Sequence, residues 1–211
     1  MNLPLIGHLA VWSTLLPAVV GMWRYRNLDS PMKLFAFFCV IGVLNVLLEI
    51  ALSRMNMNNH FLSDAYWLIA VPFLGLVYYR SVTSSTVRIL LGICTVTFVS
   101  VWLVQESFFA EPGKLNSILA MITAIFLVMM SIATMNALVK STVSHLTGEP
   151  MFWVLTGTMV YYAGSFAVMG LGSNLLDVSA SLFKAAWYVN WVLIVVSMLM
   201  YAKGFLCKSQ A

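Results

Sequence analysis

Apolar residues run through this chain in long blocks, and each block ends in a short polar patch. The blocks are Leu3–Trp23, Lys33–Ser53, Phe61–Tyr79, Ile89–Phe109, Leu115–Leu138, Met151–Leu171 and Leu182–Phe205. A helix needs about 20 apolar residues to cross a bilayer, so the pattern predicts seven transmembrane helices in one domain spanning residues 1–211. The patches between them, such as "RYRNLDSPMK", "RSVTSSTVR" and "KSTVSHLTGEP", are rich in Pro, Gly, Asn and Ser, the residues that turn a chain. Connections this short make consecutive helices antiparallel neighbours. They leave no room for a soluble domain, and no internal repeat is visible.

Composition turns that pattern into a statement about solvent. Of 211 residues, 62% are hydrophobic and 9% charged, whereas a soluble domain carries about 25% charged residues. A water-soluble fold of this length could not hide so much apolar surface. The net charge of +4 does not point to nucleic acid, because the basic residues stand at the ends of apolar blocks rather than together. There they set topology. Arg54, Lys114 and Lys184 fall on one side of the bundle; Arg24, Arg26, Lys33, Arg80, Arg88, Lys140, Lys203 and Lys208 fall on the other. Basic residues favour the cytoplasmic side, so the N-terminus is expected outside and the C-terminus inside. The first block has no basic stretch ahead of it and no small-residue cleavage site after it, and is read as a retained helix. The expected location is the cell (inner) membrane, crossed several times.

Candidate chemistry is sparse. Cys39, Cys94 and Cys207 form no CxxC pair, and His8, His60 and His145 are scattered, so no metal site is expected. The stretch "DAYWLIAVPFLGL" and the ending "YAKGF" superficially resemble the third and seventh helices of microbial rhodopsins. Asp64 would open its helix on the outside, however, and Lys203 would close its helix on the inside, roughly a bilayer apart. No lysine occupies the middle of the last block, so retinal is disfavoured and no cofactor is expected. The motifs of eukaryotic seven-helix receptors and of transporters with three-helix repeats are missing, as is the nucleophile–base pair of an intramembrane hydrolase.

What remains is the depth of the polar residues. At 1.5 Å per residue, Glu49 lies about 24 Å along its helix from Lys33, in the outer quarter of the membrane. Asn45, four residues earlier, shares its face. The same depth collects His8, Asp64, Tyr188 and Asn190, while stretches such as "LFAFFCVIG" and "VLIVVSMLM" leave the inner half apolar. Two readings stay open. These groups either touch headgroups and water, or they line a pocket that opens outward, since ionisable groups within spans generally face a cavity or a partner. In the sixth block, Tyr161, Tyr162 and Ser165 either serve helix packing or form the floor of that pocket. Gly157, Gly164 and the pair Ala163 and Ala167 let backbones approach closely.

The stretches "YRNLDSPMKLFAFF", "NNHFL" and "EPMFWVLTGTMVYYAGSFAV", together with Glu49, resemble small, uncharacterised seven-helix integral membrane proteins of Bacteroidetes-type bacteria. The resemblance spans most of the chain and implies a sensory role beside signalling proteins, but it supplies no functional residues. The leading expectation is a receptor-like membrane protein that binds a small or lipidic ligand in an outward-facing pocket and reports to a partner protein. His8, Asn45, Glu49, Asp64, Tyr161, Tyr162, Ser165, Tyr188 and Asn190 are the candidate ligand-binding residues. A small-solute transporter is the alternative. A lipid-modifying enzyme using Glu49, Asp64 and His8 as its acid–base set comes third.

Overall fold

The computed structural model describes residues 4–55, 57, 60–109, 117–141 and 146–207. Lys114, His145 and Lys208, all named above, lie outside them. The described residues form helices α1 (Leu5–Ser13), α2 (Leu15–Trp23), α3 (Ser30–Arg54), α4 (His60–Ser81), α5 (Ser85–Phe109), α6 (Ser117–Ser141), α7 (Pro150–Val178) and α8 (Ala180–Leu206). Two single 3-10 turns, Tyr25–Asn27 and Leu146–Gly148, complete them, and no strand occurs among the described residues.

The first expected span is two helices. Pro17 has no N–H to offer the Ser13 carbonyl, and its ring crowds that group. The Ser13 and Thr14 hydroxyls turn back onto the carbonyls of Ala10 and Val11, each at 2.7 Å. Thr14 keeps helical angles (φ −61°, ψ −26°), so the axis carries on and Leu5–Trp23 still reads as one crossing. The next helix starts where Asp29 accepts a hydrogen bond from the Met32 amide at 3.0 Å, with Pro31 in the first turn. A carboxylate cap and an early proline are both favoured at helix starts.

Six helices among the described residues are long and apolar enough to cross a membrane: Leu5–Trp23, Ser30–Arg54, Phe61–Ser81, Ser85–Phe108, Ile118–Ser141 and Ser181–Leu206. The chain is therefore an all-helical, multi-pass membrane protein. Helix α7, with 29 residues and a length of about 43 Å, packs between α6 and α8.

Neighbours in sequence pack together, and α8 returns against α1 and α2 to close the ring. Helix α5 packs mainly on α4, and α6 bridges α4 and α7. Side-chain contacts fix which ends coincide. Arg24 Nη1 donates to the carbonyls of Leu206 at 2.6 Å and Phe205 at 3.0 Å, filling acceptors that the end of α8 leaves open. Arg80 Nη1 donates to Ser30 Oγ at 3.1 Å. Leu138, Glu149 and Pro150 share a cleft with Asp29 and Arg80. The starts of α3 and α7 thus lie beside the ends of α2, α4, α6 and α8, as an up-and-down bundle requires.

The core is densest at this Arg24 end. Phe35 stacks on Phe205 at 5.6 Å and meets Tyr201 edge-on at 4.9 Å, and Phe35, Tyr78 and Phe205 are fully buried. Buried serine and threonine hydroxyls find acceptors within their own helices. Thr95, Thr123, Ser131, Thr134, Thr158 and Ser197 each donate to the carbonyl four residues earlier, at 2.7–2.8 Å. This back-bonding solves the problem of a donor with no water nearby.

Close approach of α7 to α8 depends on Gly157 and Gly164, whereas Ala163, expected as part of a small-residue pair, is exposed. It stands about 100° round the helix from Gly164. A Cβ added at Gly157 would lie 2.7 Å from the Tyr201 ring and 3.2 Å from the Ser197 carbonyl oxygen. Gly157→Ala should therefore cost about 1–3 kcal/mol by overpacking and lower the melting temperature in detergent. Gly148→Ala, whose Cβ would meet nothing within 4 Å, should leave it unchanged. Equal melting of the two variants would contradict this packing.

Candidate ligand-binding site

A cavity of about 310 Å³ opens among α1–α2, α3, α4, α7 and α8. Its polar end is built on the i, i+4 spacing of α3. Asn45 and Glu49 stand one turn apart on one face, and Asn45 Nδ2 donates to Glu49 Oε1 at 3.0 Å. Ser63, in the first turn of α4, donates to the same oxygen, also at 3.0 Å. Both α3 residues line the cavity, so this face turns into the bundle and the carboxylate sits between two helices with its orientation set by two donors.

The walls are aromatic. Trp67 of α4 meets Tyr162 of α7 edge-on at 5.5 Å, and Tyr161 and Tyr162 are themselves perpendicular, 4.9 Å apart. Adjacent helical residues point about 100° apart. One tyrosine therefore presents its edge where the other presents its face, and both reach the cavity. Tyr66 stacks on Phe38 at 5.8 Å. Its ring lies against α3 because Gly42 has no side chain, and a Cβ there would stand 3.2 Å from the Tyr66 hydroxyl. Phe38 is eleven residues from Glu49, so the cavity runs roughly 16 Å along α3. Beyond it lies the packed cluster of Phe35, Tyr201 and Phe205.

From α8, Asn190 is 5% exposed and lines the cavity. Its Oδ1 is buried without a hydrogen-bond partner among the described residues. It lies beside Gly164, where an added Cβ would be 3.0 Å away. A buried acceptor left unpaired costs about 1–3 kcal/mol, so this amide is held in place at the expense of stability. Ser165, also at the wall, spends its hydroxyl on the Tyr161 carbonyl at 3.0 Å. Tyr201 closes the lower end, donating to Thr158 Oγ1 at 3.3 Å.

Six of the expected residues thus come together: Asn45, Glu49, Tyr161, Tyr162, Ser165 and Asn190. Three do not, and helical phase is the reason in each case. His8 is exposed on α1, next to Gly7, which is buried. Asp64 is one residue, or about 100°, past the cavity-lining Ser63; it is half-buried and does not line the cavity. Tyr188 precedes Asn190 by two residues, so it faces the other way. It is 46% exposed, packs on Trp191 at 5.4 Å, and belongs to an apolar groove between α1 and α8. The acid–base set Glu49, Asp64 and His8 is therefore not gathered at the cavity.

The sequence reading missed Ser63, Trp67, Thr14 and Pro17 at the lining. Pro17 was the available signal, since a kinked helix leaves space beside its bend. The Cys39 thiol, ten residues down α3 from Glu49, is roughly 15 Å away, too far to form a nucleophile–base pair. No group of three metal-ligating side chains occurs among the described residues. Comparison with protein-family models, with curated proteins and with solved structures returned no match.

The two asparagines should respond oppositely to replacement by leucine. Asn45→Leu removes a donor from Glu49 and should cost about 1 kcal/mol. Asn190→Leu removes an unpaired acceptor and should leave thermal stability unchanged or raise it by about 1 kcal/mol. Melting curves in one detergent decide; a loss at Asn190→Leu as large as at Asn45→Leu would mean that the Asn190 amide is already satisfied.

Proposed function

We propose that the protein is a seven-span, receptor-like sensor of the inner membrane, with α7 as the seventh crossing. The N-terminus lies outside and the Arg24 end faces the cytoplasm. A small or lipidic ligand binds in the cavity, entering from the Glu49 end, and the short basic connections at the Arg24 end report to a partner signalling protein. The observation that carries this reading is the asymmetry of the cavity. It is polar at the Asn45–Glu49–Ser63 end and shut at the other by Phe35, Tyr201 and Phe205, which are buried and in ring contact.

A blind pocket suits a receptor better than a carrier, since a transporter needs a polar route onward from the bound solute. The eight-to-three bias of basic residues supports the orientation. Ligand binding would be transmitted through α8, which lines the cavity through Asn190 and carries Tyr201 and Phe205 in the closed end.

Thiol labelling in intact cells tests this reading. In a chain whose native cysteines are replaced by alanine, Ser63→Cys should react with a membrane-impermeant reagent added outside. Ala202→Cys, buried toward the closed end, should not. Labelling of Ser63→Cys only after the cells are opened would reverse the orientation, and labelling of Ala202→Cys from outside would mean a through-passage.

A further inference from the structure

The chemistry of the lining narrows the ligand class. We propose that the cavity takes a small organic ammonium ion that carries at least one N–H donor and an apolar, preferably aromatic, body. This rests on the reading of the cavity as a ligand pocket and adds the identity of the guest.

Three observations converge. Charge comes first: the described lining holds one carboxylate, Glu49, and no Lys, Arg or His. An anionic guest would meet repulsion with nothing to offset it. A neutral guest forgoes the attraction between that carboxylate and a positive charge. Asn45 and Ser63 both donate to Oε1 and hold the group in one orientation. A carboxylate offers about four acceptor positions, so it can accept from several donors at once. Charge-assisted hydrogen bonds of this kind are about twice as strong as neutral ones.

The walls come second. Seven of the nineteen lining residues are Phe, Tyr or Trp. Ring faces attract cations within about 6 Å of their centroids, Trp most strongly, and Trp67 and Trp187 both line the cavity. The same rings provide apolar area for the body of the molecule. A carboxylate combined with aromatic walls is selective for an organic cation over an inorganic one, because a hydrated metal ion gains little from an aromatic surface. No other carboxylate lines the cavity to complete a ligand set.

The third observation is Asn190. Its Oδ1 is a buried acceptor with no donor among the described residues, and it lines the same cavity as Glu49. An acceptor in that state is matched by a guest with a second N–H or an O–H. A guest with N–H donors suits both the Glu49 carboxylate and the open Asn190 oxygen, and a permanently alkylated quaternary ammonium donates to neither. Primary and secondary amines fit; a tetraalkylammonium fits less well. The small volume, about 310 Å³, stands at the low end of the range for small-molecule sites and limits the guest to one ring with a short side chain.

The test uses the full chain in detergent or nanodiscs and four probes that share one body: phenethylamine, its trimethylammonium analogue, 2-phenylethanol and 3-phenylpropanoate. Tryptophan emission and melting temperature report binding. Phenethylamine should bind at least tenfold more tightly than the alcohol, the trimethylammonium analogue should fall between them, and the carboxylate should not bind. Glu49→Gln should weaken phenethylamine at least tenfold and leave the alcohol within about twofold, which separates lost charge recognition from a damaged fold. Asn190→Leu should weaken phenethylamine severalfold while leaving the melting temperature of the free protein intact. Equal affinity for amine and alcohol, or a Glu49→Gln variant that keeps the amine preference, would overturn the ammonium assignment and leave the ligand pocket standing. Binding of none of the probes would also overturn it. The pocket reading would then be judged separately, by thiol access at Ser63→Cys.

Discussion

Phe205 occupies the gap left by Gly21, stacked on Phe35, and through that contact the last helix meets the first two spans. A Cβ at Gly21 would lie 3.0 Å from both the Phe205 ring and Ala36, so the close approach needs a residue without a side chain. Arg24 secures the same junction by donating to the final carbonyls of α8. Tyr201, one helical turn before Phe205, then reaches Phe35 on one side and Thr158 on the other. The ring of helices closes here, and so does the cavity. If α8 lay further from α2 and α3, there would be neither a closed end nor a wall for Asn190 to stand in.

Polarity inside the bundle follows from the cost of leaving a donor or acceptor unpaired in an apolar medium. Most buried hydroxyls avoid that cost locally by bonding to the preceding turn of their own helix. Among the described residues, three buried side-chain atoms have no partner: Trp102 Nε1 and Glu106 Oε2 on α5, and Asn190 Oδ1 on α8. Glu49 takes donors from its own helix and from α4, and Asn190 leaves its oxygen unpaired beside Gly164. Of these three, only the Asn190 oxygen lines the cavity, where it matches a donor-bearing guest. The aromatic residues serve both regions: they are packed face to edge at the Arg24 end and spaced around a void further along.

Six of the seven expected spans were legible in the sequence as long apolar helices, because span length is fixed by membrane thickness and each apolar block ends in charge or a turn residue. Helix ends shifted by a few residues, as with Phe61–Tyr79 against the observed His60–Ser81, because polar caps extend a helix past its apolar part. The place of Glu49 along α3, toward the end away from Asp29, was also legible, being only a count of residues. Rotation about the helix axis was not. His8 and Tyr188 lie at suitable depth yet face away from the cavity, and Ser63 rather than its neighbour Asp64 meets Glu49, since a single residue turns the side chain by about 100°. A chain that is apolar around its whole circumference carries little amphipathic signal to set that rotation. In this bundle it is set by Gly21, Gly42 and Gly157, the points where a missing side chain lets an aromatic ring from another helix come close.

The central claim is a blind cavity with Glu49 and Asn190 turned into it. The most direct check is a high-resolution cryo-EM map of the protein in lipid nanodiscs, soaked with phenethylamine. The account predicts one density in contact with Glu49 and with the Asn190 amide, above unbroken packing of Phe35, Tyr201 and Phe205. A Glu49 side chain directed at the lipid, or a continuous water-filled path past Tyr201 to the Arg24 end, would contradict it.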